Sequence, residues 1–263
     1  MAIPSLVEHN APLLLALSIL VFLAATSSAN EENVLLTGDV LGTDSQLSYA
    51  GATFVMQGDC NLVLYNKGSG FQSNTHGAGH NCTLSLTDRG NLVITSSLST
   101  VWRSPVPGSE GKRGKYAAVL RPDGQLAVYG PAVWSTPGFG LSAAGHEAAE
   151  LAAIPMVRNV LFSSQVLYAN AELATRDYAF VMRDDCDLAL SKAGNVVWQS
   201  GTAGRGRHCF VRLDHRGQLA VVGDHNYKAL WTSKSASSDG DYVLILQING
   251  QAVVYGPVVW STN

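Results

Sequence analysis

The chain is 263 residues long and 46% hydrophobic, with 17 basic against 20 acidic side chains and a formal net charge of −3. So nearly neutral a balance disfavours a phosphate-backbone ligand, and nucleic acid is not an expected partner.

From the N-terminus, the run Pro12 to Ala25 is strongly apolar yet shorter than the roughly 20 residues that span a bilayer as a helix. Ser27-Ser28-Ala29 follows with the small-x-small pattern of a cleavage site. Residues 1–29 therefore read as a signal peptide, although no Lys or Arg precedes the apolar core. Its removal takes Glu8 and no basic residue, so the 20 acidic side chains fall by one against an unchanged 17. The mature chain is expected in the secretory pathway, extracellular or vacuolar, with no membrane insertion after signal cleavage.

The stretch Gln57-Gly58-Asp59-Cys60-Asn61-Leu62-Val63-Leu64-Tyr65 carries the densest chemistry. Residues two apart in a strand share a face, so Asn61, Val63 and Tyr65 point one way and Leu62 and Leu64 point into a core. Laid out straight, the steps from Gln57 to Tyr65 would cover roughly 26 Å, too wide for one hexose. Gly58-Asp59 supplies turn chemistry that folds Gln57 back beside Asn61. Two amides, a carboxylate and a phenol then gather in one patch. Such a set matches several fixed hydroxyls and leaves an epimer with an unpaired group. One carboxylate is too few for calcium, so neither a metal nor any other cofactor is expected.

Cys60 and Cys82 are 22 residues apart, and Cys186 and Cys209 are 23 apart. In an oxidising compartment the pairs Cys60–Cys82 and Cys186–Cys209 would each close one loop, contributing about 3 kcal/mol by the loop-entropy model. The competing zinc reading lacks the close Cys-x-x-Cys spacing of structural sites.

The chain is a duplication. Aligning Cys60 with Cys186 gives an offset that also carries Gln57 to Arg183 and Trp134 to Trp260. Asn33-Val34-Leu35-Leu36 is echoed by Asn159-Val160-Leu161-Phe162, and Gly130-Pro-Ala-Val-Trp-Ser-Thr136 by Gly256-Pro-Val-Val-Trp-Ser-Thr262. Two homologous domains are expected, at 30–137 and 157–263, joined by a Gly- and Ala-rich linker at 138–156 that is a natural place for nicking.

Within each half an aromatic-x-Ser/Thr element recurs: Phe71, Trp102 and Trp134 lead it in the first, Trp198, Trp231 and Trp260 in the second. A hairpin signal with alternating apolar residues precedes each one. Helical periodicity is nearly absent. The pattern predicts an all-β protein in which each domain packs three short antiparallel sheets about a pseudo-threefold axis, with its own three aromatics at the centre.

The five-residue motif, the cysteine spacing and the threefold repeat together resemble the monocot mannose-binding lectins, the bulb-type or snowdrop-agglutinin-like family, in their two-domain tandem form. The resemblance covers nearly all of residues 30–263. It implies a β-prism II fold in each domain and metal-independent binding of mannose-containing glycans and glycoproteins at Gln57, Asp59, Asn61, Val63 and Tyr65. By that analogy Asp59 and Asn61 meet the axial 2-hydroxyl, Gln57 the 3-hydroxyl and Tyr65 the 4-hydroxyl, while Val63 packs on the carbon face. Asn263 directly follows the last repeat, so the C-terminal extension of the family's precursors is expected to be absent or very short.

The other repeats depart from the motif. They read Thr87, Arg89, Asn91, Val93, Thr95; Arg121, Asp123, Gln125, Ala127, Tyr129; Arg183, Asp185, Asp187, Ala189, Ser191; Asp214, Arg216, Gln218, Ala220, Val222; and Gln247, Asn249, Gln251, Val253, Tyr255. The last is a near miss and the candidate for weak carbohydrate binding, because Asn249 keeps an acceptor and Gln251 an amide. A shallow site binds one sugar weakly, so useful avidity calls for a homodimer or higher oligomer. The expected role is a defence or storage lectin.

An enzyme is not expected, since His76, His80, His208, His215 and His225 fall at no recognised catalytic or ligand spacing. The alternative is a non-carbohydrate interaction protein on the same fold, of the taste-modifying kind, for which the decayed repeats speak. Asn81-Cys82-Thr83 matches a glycosylation sequon, but the expected disulfide at Cys82 argues against its use.

Overall fold

The computed structural model describes residues 33–137 and 159–262, apart from 69, 98, 106–111, 224–226 and 234–237. The expected signal peptide and linker lie outside the described residues.

Among those residues, 24 strands make six four-stranded antiparallel sheets. The alternation read in the sequence is what fills the core. In the strand Leu62–Tyr65, Leu62 and Leu64 are buried while Val63 is half-covered and Tyr65 exposed. Its sheet runs Gln46–Tyr49, Ala52–Met56, Leu62–Tyr65, Phe71–Gln72, with Val63 opposite Val55 on one side and Gln72 on the other. Two further sheets complete each lobe, and the apolar rows of all three converge on one core per lobe.

One feature departs from the expected organisation: the lobes exchange their last strands. Val258–Ser261 pairs with Leu126–Tyr129 of the first lobe, and Ala132–Ser135 pairs with Ala252–Tyr255 of the second. The aromatic centres are exchanged with them. Phe71 and Trp102 meet Trp260, not Trp134, at centroid distances of 5.7 and 6.4 Å. Trp134 instead joins Trp198 and Trp231 at 6.2 and 5.9 Å. The physical reason is local equivalence. The two segments are nearly identical, so each satisfies the other's sheet: Leu126 N–H donates to Thr262 Oγ1 and Ala252 N–H to Thr136 Oγ1, both at 3.1 Å.

The exchange brings two sheets face to face. Val34, Val119, Ala127 and Tyr129 of the first half pack against Val243, Ile245, Val253 and Tyr255 of the second in a third apolar cluster. Their strands are buried on both faces, which is why they read as apolar runs rather than alternating ones.

Candidate functional site

The turn that gathers the first-half cluster is Gln57-Gly58-Asp59-Cys60. Cys60 N–H donates to Gln57 O at 3.0 Å, and Gln57 N–H to Asn61 O at 2.9 Å. The turn requires a left-handed residue at its end, and Cys60 takes it with φ of 71°. Four repeats place glycine there, Gly90, Gly124, Gly217 and Gly250. A side chain in that conformation costs about 1–2 kcal/mol. Cys60 and its counterpart Cys186 hold the position within the disulfides Cys60–Cys82 and Cys186–Cys209, paired as the spacing predicts.

Each site side chain then has a defined task. Asp59 Oδ1 accepts from Asn61 N–H at 2.9 Å, which fixes the turn and turns Oδ2 outward with no partner among the described residues. Asn61 is only 7% exposed. Its Oδ1 accepts from Ser73 Oγ and from Thr75 N–H, each at 3.2 Å, so the amide is oriented and Nδ2 is left without a partner among the described residues. Gln57 Nε2 donates to the Tyr65 hydroxyl at 2.8 Å, closing the far side, and Tyr65 is 54% exposed. Val63 lies between them as the apolar floor. Gln57, Asp59, Val63 and Tyr65 reach solvent around the nearly covered Asn61, with an unused acceptor at Asp59 and an unused donor at Asn61.

Ser73 and Thr75 belong to this machinery and were not among the candidates. A signal existed: Ser73-Asn-Thr75 recurs as Ser200-Gly-Thr202, and the first residue of each caps the strand start beside the turn. Leu62 N–H donates to Ser73 Oγ at 2.9 Å and Leu188 N–H to Ser200 Oγ at 3.0 Å.

The remaining clusters keep the turn and change the groups that it displays. In two of them Arg89 and Arg216 stand where Asp59 does, and the capping acceptor moves to Thr87 and Asp214, which take the N–H groups of Asn91 and Gln218 at 3.1 and 2.8 Å. Arg121 is spent on Asp123, and Tyr129 is buried at the lobe interface. Burial pushes the Tyr129 phenol up to about 12, against the opposing pull of Arg121 beside it. Arg183 pairs with Asp185 at 3.1 Å.

The near miss at Gln247 to Tyr255 reproduces the hydrogen bond of the first cluster, Gln247 Nε2 to Tyr255 hydroxyl, but seals it. Tyr255 is 1% exposed, Gln247 and Val253 are also buried, and only Asn249 and Gln251 reach solvent. Burial drives the Tyr255 phenol well above its ordinary range, with Gln247 opposing. The sheet facing it across the lobe interface is what covers it. Among the described residues no three His, Cys, Asp or Glu side chains gather as a metal site would.

No family model matches the chain. Mannose-specific lectin 2 of Crocus vernus is 58% identical over 248 residues, spanning 92% of this chain and 92% of that protein. Mannose-specific lectin 2 of Colocasia esculenta is 46% identical over 232 residues, 88% of this chain and 85% of its own. Among solved structures, the native fetuin-binding agglutinin of Scilla campanulata, a two-domain lectin, superposes with a TM-score of 0.77 at 31% identity, covering 88% of this chain and 100% of that one.

Proposed function

Because the chain belongs to the monocot mannose-specific, snowdrop-agglutinin-like lectins in their two-domain form, we propose that Gln57, Asp59, Asn61, Val63 and Tyr65 form its mannose site. It is a lectin, not an enzyme. The observation that carries the site assignment is the unpaired Nδ2 of Asn61 beside the unpaired Oδ2 of Asp59. A fixed donor next to a fixed acceptor reads one hydroxyl in both senses, and its orientation is set before the ligand arrives, so little ordering cost is left to binding. Val63 offers the sugar's carbon face an apolar contact, and no metal takes part.

The ligands are high-mannose chains of glycoproteins. The Gln247 to Tyr255 cluster is a structural element of the lobe interface rather than a second sugar site, since its phenol is covered. Residues 30–137 and 157–263 are the two sequence repeats of a mature protein that has lost residues 1–29 in the secretory pathway, bound for the apoplast or the vacuole. With one open site per chain, crosslinking in defence or storage depends on assembly of at least a homodimer. The test is a glycan array with wild type and Asn61→Ala. Wild type is expected to retain mannosylated glycans and the variant to lose them; equal retention overturns the assignment.

A further inference from the structure

A hollow of about 300 Å³ lies beside the covered Gln247 to Tyr255 cluster, and its lining includes Lys115, Trp134, Ser135, Gln251 and Val253. The exchange of strands between the lobes creates it. Ala132–Ser135 runs along Ala252–Tyr255 with Ser135 opposite Val253, and Lys115 of the first half comes in with it, its carbonyl accepting from Ala132 N–H at 2.7 Å. With Tyr255 covered, the mannose contacts of the first cluster are lost here, and a ligand in the hollow meets other groups.

Those groups donate. Lys115 is exposed, and its ammonium has no hydrogen bond or ion pair among the described residues. Gln251 Oε1 accepts from Asn249 Nδ2 at 3.3 Å, which leaves Gln251 Nε2 without a partner among the described residues, and the exposed Ser135 hydroxyl is likewise unpaired there. No Asp or Glu lines the hollow, and Asn249 stands where the first cluster has Asp59. Lys112 and Arg113 precede Lys115, so three cations fall within four residues, and of these Arg113 alone has an acidic neighbour among the described residues, Asp88 at 3.8 Å. By the offset that relates the halves, the counterpart of Lys115 is Asp241, so the fold itself does not demand a cation at this place.

We infer that the hollow is a site for an acidic sugar, a pyranose bearing one carboxylate, as a uronic acid does. The carboxylate accepts from Lys115 Nζ, a ring hydroxyl accepts from Gln251 Nε2, and the carbon face of the ring rests on Val253 and the half-covered Trp134. A bare anion would use the donors and leave that apolar wall idle, whereas one pyranose ring fills a space at the small end of ligand pockets. Charge-assisted hydrogen bonds are about twice as strong as neutral ones, so the carboxylate sets the preference. The inference stands apart from the Gln57 to Tyr65 reading, whose ligand is neutral.

The test is an NMR titration of the full chain with methyl galacturonoside, with methyl galactoside, which carries a hydroxymethyl group in place of the carboxylate, and with acetate. The galacturonoside is expected to bind about tenfold or more tightly than either, with the largest shifts at the Trp134 indole N–H and the Gln251 side-chain amide. Lys115→Gln should remove the preference at an unchanged unfolding temperature, because the side chain is exposed. Lys67→Gln, at an exposed lysine outside the hollow, should keep it and so exclude simple charge adsorption. Equal or unmeasurable affinity for the two glycosides, acetate binding as tightly as the galacturonoside, a preference that survives Lys115→Gln or is lost in Lys67→Gln, or shifts that avoid Trp134 overturns the inference.

Discussion

Asn61 and Asp187 occupy the same place in the two halves and receive the same two bonds, from Ser73 and Thr75 in one and Ser200 and Thr202 in the other. They differ in a single terminal atom, a nitrogen that donates against an oxygen that accepts. Around them Gln57 is bonded to Tyr65 and leaves Asp59 open, whereas Arg183 closes on Asp185. The lesson is that a repeat can keep every bond that builds a site and still invert what the site shows to a ligand. Scaffold and specificity reside in different atoms of one residue.

The largest expected effect tests how the two lobes are built rather than what they bind. Trp260→Ala should destabilise by roughly 3 kcal/mol, at the low end for a truncated core tryptophan because the ring is half-covered. Hydrogen exchange should show the loss in the first lobe, around Phe71 and Trp102, and Trp134→Ala should show it in the second. The reverse pattern would break the exchanged arrangement.

Next in size is the contrast between the open cluster and the covered phenols. The Tyr129 phenol is raised to about 12 by burial, so its contribution is fully present below its unfolded value near 10 and is lost as pH rises through 12. Denaturant titrations at pH 9 and pH 12 should differ by up to about 3 kcal/mol from this group, and Tyr129→Phe should reduce the difference.

Smallest, and most direct for the comparison itself, is Asn61→Asp, which writes the second half's chemistry into the first. Removing the donor should cost about 2 kcal/mol, or roughly 30-fold in mannoside affinity by calorimetry, with the fold intact because Asp187 already occupies this scaffold. An unchanged affinity would mean that Nδ2 is not what the sugar meets.

Much of this was legible in the chain. Leu62 and Leu64 against Val63 and Tyr65 gave the strand and its faces, Gly58-Asp59 the turn, and the spacing of four cysteines both disulfides. Three things were missed. The destination of Trp134 and Trp260 was hidden because their segments are so alike that either completes either lobe, and repetition carries no record of which. The covering of Tyr255 was hidden for the same reason: its motif resembles that of Tyr65, and only the meeting of the lobes buries it. The orientation of Asn61 depended on Ser73 and Thr75, outside the strand that bears the motif.

The crossed terminal strands bear on what a protease could achieve. A cut anywhere between residues 138 and 158 would sever the polypeptide yet free neither fragment, because each would still be stitched into the other's sheet. Two bands on a denaturing gel and a single particle in solution are therefore compatible. Each fragment made alone would lack the tryptophan that closes its own interior.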